Sequence, residues 1–262
     1  MNRPDSDLWL EVCLEELAAL RETKTYIPVH INNVDPHNIV GCHWVFALKC
    51  SPDGEVERYK AHIVAKGFNQ VYSIDCDKTF APVVKWVSIC ILLSLAACLN
   101  LEVHQMDIKT MFLNGELKHE IFMSPLPGCS DYGSKDVVWR LEKSLYGLKQ
   151  SSRAWYMKAK TELHKLQFKQ SDSDHAVFSF STSTKFCIIA LYVDNLMIIS
   201  NSPSLLRRKK RQLMSAFKMK DLGDIHWFLG LEITHDRARK LIFVSQSWYI
   251  ADVVERFGFA NS

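Results

Sequence analysis

The sequence predicts an α+β fold on three observations. Apolar, β-rich segments are interspersed with helical patterns, and no internal repeat or low-complexity linker interrupts them. Residues 186–200 (FCIIALYVDNLMIIS) set two apolar arms around a short polar centre, which is the pattern of a β-hairpin. Residues 41–50 and 55–66 form a second such pair around Ser51-Pro52-Asp53-Gly54, where proline presets φ and glycine accepts a positive φ.

The elements follow in order. Residues 6–22 form an amphipathic helix that Ser6 or Asp7 can cap, with Leu8, Leu10, Val12, Leu14, Leu17 and Leu20 toward its inner side. Residues 85–99 (KWVSICILLSLAACL) form a strongly apolar helix, expected to be buried on most sides, with Asn100 as its stop. Residues 101–106 alternate as a strand and lead directly into Asp107. Residues 149–166 are a basic amphipathic helix whose core face carries Trp155, Tyr156, Leu163 and Leu166. A helix at 203–217 follows Pro203. A hairpin of 227–234 with 240–245 around His235–Arg239 comes next, and a last helix covers 246–257.

Size and composition limit the options. A chain of 262 residues holds one large domain or two modest ones, and 48% hydrophobic with 23% charged content excludes disorder over most of its length. A net charge of +3 says little about an acidic partner. None of the eight cysteines shows a C-x-x-C spacing, which argues against a zinc site and for reduced thiols. The N-terminus is polar and acidic, unlike a signal peptide. The longest apolar run, near 88–99, is too short to span a bilayer, so no membrane association is expected.

Two carboxylates stand out. Asp107 lies at a strand exit and Asp194 at the expected hairpin tip, with Asp194-Asn195 as the polar centre of the turn. If both strands share a sheet, their oxygens converge, and hard oxygen donors suit Mg²⁺. A pair of such ions activates an attacking hydroxyl and stabilises a leaving pyrophosphate. Read alone, Asp194-Asn195 is usually just a turn and Asp107 just a strand-end residue.

Seven segments occur in a fixed order: Arg58-Tyr59-Lys60-Ala61, Val64-Ala65-Lys66-Gly67-Phe68, Thr79-Phe80-Ala81-Pro82-Val83-Val84-Lys85, His104-Gln105-Met106-Asp107-Ile108-Lys109-Thr110, Phe112-Leu113-Asn114-Gly115, Ser144-Leu145-Tyr146-Gly147-Leu148-Lys149-Gln150 and Leu191-Tyr192-Val193-Asp194. In this order they resemble the reverse-transcriptase domain of copia-type LTR retrotransposon Pol polyproteins, from about residue 8 to the end. The resemblance implies a right-hand polymerase fold, with fingers, a palm built on an antiparallel sheet, and a partial thumb. One reverse-transcriptase domain would cover 1–262: 1–100 mainly fingers and the start of the palm, 101–225 mainly palm, 226–262 the end of the palm and the start of the thumb. The implied activity is RNA-directed DNA polymerase, with two Mg²⁺ or Mn²⁺ ions.

By the same resemblance, Asp107, the Ile108 carbonyl and Asp194 hold metal, and Asp107, Asp194 and Asn195 occupy the catalytic set. Phe112 excludes a ribose 2′-hydroxyl. Tyr146 and Gly147 line the nucleotide and template pocket, and Lys60 and Lys66 meet the triphosphate. Residues 219–230 would meet the primer. The implied partners are an RNA or DNA template, a DNA primer, deoxynucleoside triphosphates, and the integrase and RNase H segments of the polyprotein, neither of which is recognisable in this chain. The implied location is the cytoplasm, within virus-like particles, or the nucleus. The chain reads as a segment that begins inside a polyprotein and stops near the thumb.

Four positions depart from the family pattern. Asn195 stands where a second aspartate is expected and keeps a carbonyl acceptor without the charge. His62 replaces an arginine, Lys78 an acidic residue, and Met111 a small one. These departures predict weak or absent polymerisation and leave a non-catalytic remnant, a retained nucleic-acid-binding module or a structural subunit as the alternative. The run Arg207-Arg208-Lys209-Lys210-Arg211 is expected to be a solvated helix face. Trp44, Trp86, Trp139, Trp155 and Trp227 are expected in the core.

Overall fold

The computed structural model describes residues 5–35, 39–50, 55–71, 75–126 and 136–259. In chain order these form α1 (Ser6–Glu22), β1 (Tyr26–His30), β2 (Ile39–Val40), β3 (Cys42–Cys50), β4 (Val56–Ala65), α2 (Trp86–Leu99), β5 (Glu102–Ile108), β6 (Glu116–Met123), β7 (Val137–Lys143) and α3 (Ser151–Lys165). There follow β8 (Lys169–Gln170), β9 (Val177–Ser181), β10 (Phe186–Tyr192), β11 (Asn195–Ser200), α4 (Pro203–Ala216), β12 (Met219–Asp224), β13 (Trp227–Phe228), β14 (Leu231–Asp236), β15 (Leu241–Ser245) and α5 (Ser247–Arg256). The mixed α+β class expected from the sequence is what the chain adopts. Two compact units each draw on two separate stretches: Met1–Ala81 with Thr110–Ala159, and Pro82–Lys109 with Lys160–Ser262.

The first unit contains a four-stranded sheet in the order β1-β7-β6-β2 and the β3–β4 hairpin. The hairpin pairs Cys42 with Ala65 through to Lys49 with Arg58, as the alternating pattern predicts, while the Ser51–Gly54 turn lies outside the described residues. The strands bury every second side chain, so Ile63 and Ala65 of β4 join Leu20, Leu113, Ile121, Met123, Trp139, Leu141 and Leu145 in one core. Tyr26 stacks on Trp139 with ring centroids 4.1 Å apart. The helix α1 corrects its sequence reading. Asp5, not Ser6 or Asp7, is its N-cap, and the Asp5 carboxylate accepts the Trp9 indole N–H at 2.9 Å. Leu8, Leu10 and Leu14 are exposed, whereas Glu16 and Leu20 are buried. Leucines two apart cannot share a helix face; of the expected inner residues Leu20 is buried and Leu17 packs against the same core, and Glu16 joins them.

The second unit is built on a six-stranded antiparallel sheet, β12-β5-β11-β10-β9-β8. On one face lies the α2 stripe Ile89, Leu92, Leu93 and Ala96, packed with Val103, Ala190, Met197 and Ile199. These four helix positions follow the i, i+3, i+4, i+7 spacing. The remainder of α2 is not buried, contrary to expectation: Trp86 is 54% and Val87 65% exposed. A helix lying on one sheet face can bury only one stripe, however apolar its other sides are. Trp227 is also exposed and Trp44 half-buried, so among the expected core tryptophans only Trp139 and Trp155 are fully interior. The expected 227–234 strand is divided by a turn at Leu229-Gly230, both with positive φ, into β13 and β14.

The buried carboxylate of Asp174 anchors the start of α2. It accepts the Lys85 amide at 2.9 Å, the Ser88 hydroxyl at 2.6 Å and the Ala176 amide at 3.0 Å. Burial alone would raise its pKa, but the Ser88 hydroxyl and the two amides outweigh it and hold the carboxyl below its ordinary value.

The helix α4 overturns the reading of its basic run as a solvated face, since Lys209 and Lys210 are buried. The Lys209 ammonium donates to the Leu166 carbonyl at 2.6 Å and sits 3.7 Å from the centre of the Phe180 ring. The Lys210 ammonium donates to His104 Nδ1 at 2.9 Å and lies 2.5 Å from Asp221 Oδ1. With Nδ1 accepting, His104 Nε2 carries the proton and donates to Asp224 Oδ1 at 3.1 Å. Burial first, and the Lys210 charge second, hold the His104 pKa below 6.5 against the pull of nearby carboxylates. His235 is lowered as well, by burial and by Arg237.

Two predictions follow from these anchors. Asp174→Ala should lower stability by about 1–3 kcal/mol at neutral pH in urea denaturation. That difference should shrink as the pH falls through the depressed folded pKa of Asp174, where the wild type loses its charged acceptor. A histidine depressed in the folded state stabilises above its unfolded value and loses that contribution on acidification. Stability should therefore fall as the pH drops below about 6.5, the unfolded histidine value. His104→Gln should flatten part of that slope; denaturation midpoints measured between pH 7 and pH 5 test this.

Candidate functional site

The β10–β11 hairpin pairs Ile189 with Ile198, Leu191 with Leu196 and Tyr192 with Asn195. The two central turn residues are therefore Val193 and Asp194, one position earlier than the Asp194-Asn195 centre expected from the sequence. Asn195 is the first residue of β11 and pairs with Asp107 on β5. The reason is register. The apolar arms are buried, and a one-residue slip would turn every side chain to the opposite face. The turn must use whatever residues remain, and Val193 takes φ 55°. A β-branched residue there costs on the order of 1–2 kcal/mol, which the packed arms sustain.

Several bonds hold the tip. The Asp194 carbonyl accepts the Ile108 amide at 2.9 Å, tying the hairpin to the end of β5. The Asn195 side-chain amide donates to Asp194 Oδ1 at 2.9 Å, and its own oxygen accepts Gln105 Nε2 at 3.3 Å. Asp107 belongs to β5 rather than following it, and its neighbours across the sheet are Asn195 on β11 and Lys220 on β12. Gln105 and Lys220 were not singled out from the sequence. Gln105 was findable, because it lies two residues before Asp107 and so on the same strand face. Lys220 lies in the 219–230 stretch expected at the primer, but only the β5–β12 pairing brings it beside Asp107.

The donor set fits a hard divalent cation. Asp107 and Asp194 supply carboxylates at the ends of neighbouring strands, and Ile108 offers a backbone carbonyl. Asn195 adds no charge, and its N–H₂ occupies one lone pair of Asp194 Oδ1. A second cluster, Glu102, His104 and Asp224, has ligand atoms within 4.8 Å of one another. Glu102 and His104 lie on the face of β5 opposite Asp107, where Lys210 already meets His104 and Arg237 Nη1 lies 2.6 Å from Glu102. Two resident cations make that cluster a poor host for a third.

The first unit holds the remaining predicted residues. Phe112 lies in a single 3₁₀ turn, Met111–Asn114, and meets the Tyr146 ring edge-on with centroids 4.8 Å apart. The Tyr146 carbonyl accepts the Ala65 amide at 2.8 Å. Gly147 has φ 89°, and a Cβ there would lie 2.1 Å from the Ala65 carbonyl oxygen, so no other residue fits. His62 stacks on Tyr146 with centroids 4.6 Å apart. Lys60 shares the His62 face of β4, opposite the buried Ala61 and Ile63, and Lys66 follows the strand, its amide bonded to the Gly41 carbonyl at 2.8 Å. The predicted residues thus fall into two groups: Asp107, Ile108, Asp194 and Asn195 in one unit, and Lys60, Lys66, Phe112, Tyr146 and Gly147 in the other. Among the described residues no helix is long and apolar enough to cross a membrane.

Residues 24–262 match the family described as "Reverse transcriptase (RNA-dependent DNA polymerase)". The chain is 40% identical over 263 residues to the retrovirus-related Pol polyprotein from transposon TNT 1-94 of Nicotiana tabacum, a match covering all of the chain and 20% of that protein. It is 39% identical over 218 residues to the corresponding polyprotein from transposon RE2 of Arabidopsis thaliana, covering 83% of the chain and 15% of the relative. It is 28% identical over 246 residues to the transposon Ty1-BR Gag-Pol polyprotein of Saccharomyces cerevisiae, covering 90% of the chain and 13% of the relative. The chain therefore spans a fifth or less of the length of these relatives. With a family match across nearly its whole length, and the Asp107–Asn195 pairing beside Asp194 in its antiparallel sheet, the chain belongs to the reverse-transcriptase family of copia-type retrotransposon Pol polyproteins.

Proposed function

We propose that the chain is an RNA-directed DNA polymerase module whose two-metal site is weakened by Asn195. The observation that carries this reading is the strand pairing of Asp107 with Asn195, beside an Asp194 clasped to Ile108. In this reading the second unit is the palm of a right-hand polymerase and the first unit belongs to the fingers. Asp107, Asp194 and the Ile108 carbonyl hold divalent ions, Mg²⁺ or Mn²⁺. When bound, the ions activate the primer hydroxyl and stabilise the pyrophosphate leaving group. Lys60 and Lys66 counter the triphosphate charge. Phe112, braced by Tyr146, lies against the sugar and rejects a 2′-hydroxyl. Gly147 lets the backbone beside Tyr146 approach β4 closely, which keeps the nucleotide pocket open. Template, primer and deoxynucleoside triphosphates are the partners, along with the other segments of a Pol polyprotein, and virus-like particles in the cytoplasm are the proposed setting.

Asparagine at 195 has two consequences in this reading. It removes one negative charge from the ligand set, and affinity for a hard cation falls with ligand charge. It also donates to Asp194, a bond that must be given up or shared when metal binds. A second reading, a nucleic-acid-binding module without catalysis, is favoured by this same hydrogen bond, which satisfies Asp194 without any ion.

Primer extension on an RNA template distinguishes the two. Asn195→Asp should raise incorporation by about a hundredfold, the scale of removing or restoring one electrostatic contact at a reacting centre. Equal, robust extension by both chains would show that Asn195 does not impair the site. Template–primer binding without extension by either chain would favour the second reading.

A further inference from the structure

Glu16 is an unusual residue for the inner face of α1. Its side chain is 7% exposed, and a carboxylate is seldom so buried without partners. It has two, both on β4: His62 Nδ1 at 3.2 Å and the Ile63 amide at 3.4 Å. A carboxylate only accepts, so Nδ1 carries the proton, and the imidazole plane is set from α1. The other contact of that ring is Tyr146, stacked with an interplanar angle of 25°. The Tyr146 and Phe112 rings in turn form a T-shaped pair at 85°.

The backbones at both ends are already fixed. The Tyr146 carbonyl is bonded to Ala65, and the Phe112 carbonyl accepts the Ser144 hydroxyl. The rings themselves meet in sequence, His62 on Tyr146 and Tyr146 on Phe112. We propose that Glu16 and His62 are positioning residues for the nucleotide pocket, acting through Tyr146 to hold Phe112 at the angle that discriminates deoxyribose from ribose. The proposal rests on the reading of Phe112 and Tyr146 as that pocket. Neither Glu16 nor His62 touches nucleotide in it. An imidazole and a guanidinium are interchangeable here, since both are planar, both stack on an aromatic ring and both donate to a carboxylate.

Equilibrium binding of dATP and of ATP, with Ca²⁺ as a non-reactive ion, tests this on the whole chain carrying Asn195→Asp and bound to an RNA template with a DNA primer. His62→Gln retains a donor for Glu16 and removes the ring. It should lower the preference for dATP about three- to tenfold, the scale of one aromatic contact, and leave template–primer affinity unchanged. His62→Arg should retain the preference. Glu16→Leu, which fills the buried site and frees the imidazole, should lose the preference as His62→Gln does, and it decides the matter if His62→Gln does not fold. Nucleotide binding with an unchanged preference in a folded His62→Gln or Glu16→Leu chain would overturn this proposal alone. Failure of every chain, including the parent, to bind dATP would overturn both this proposal and the pocket reading beneath it.

Discussion

The arrangement of Asp107, Asp194 and Asn195 depends on the register between β5 and β11. That register pairs Asp107 with Asn195, Gln105 with Met197 and Val103 with Ile199. It is set by burial and not by the site. Val103, Met197 and Ile199 face the α2 stripe, while the opposite face of the sheet, where His104 lies, meets α4. With both faces covered, a slip of one residue would exchange the two sets of side chains and bury His104 where Val103 belongs. The placement of Asp107 beside Asn195 and Asp194 is a by-product of hydrophobic packing several residues away, which makes it rigid before any ligand arrives.

Rigidity of this kind explains why the Asn195 departure is structurally benign. The sheet needs only a residue that can begin β11 and pair with Asp107. Asparagine does so, and it adds a hydrogen bond to Asp194 that an ionised aspartate could not donate. Two carboxylates side by side repel until a cation arrives. Replacing one with an amide removes that repulsion and also removes the charge that draws the cation. The strain of Val193 shows the same hierarchy: the arms dictate the register, and the turn accepts an unfavourable φ.

The polar interior of α4 shows how tertiary context reverses a local reading. A run of five basic residues looks like a surface feature, and Arg207, Arg208 and Arg211 are indeed exposed. Lys209 and Lys210 point inward because the helical period turns them toward the sheet. There a carbonyl and two phenyl rings receive one, and His104 with Asp221 receive the other. The same helix thus presents cations to solvent and uses cations as internal struts.

By itself the sequence determined the element types, the order of the motifs and the family, because periodicity, turn chemistry and short motifs are local properties of the chain. It singled out Asp107, Asp194, Phe112 and Gly147, but it placed the hairpin turn one residue late and put Leu8, Leu10 and Leu14 on the inner side of α1 together with Leu17 and Leu20, which do turn inward. Only the tertiary structure decided which stripe of α2 is buried, which lysines of α4 turn inward, that Gln105 and Lys220 stand beside Asn195 and Asp107, and that Glu16 holds the His62 ring stacked on Tyr146. Those outcomes depend on what each segment packs against, and a packing partner distant in sequence leaves no mark on the local pattern. The Asp194-Asn195 pair is the clearest instance. The sequence showed the missing charge, and the fold showed the hydrogen bond that stands in its place.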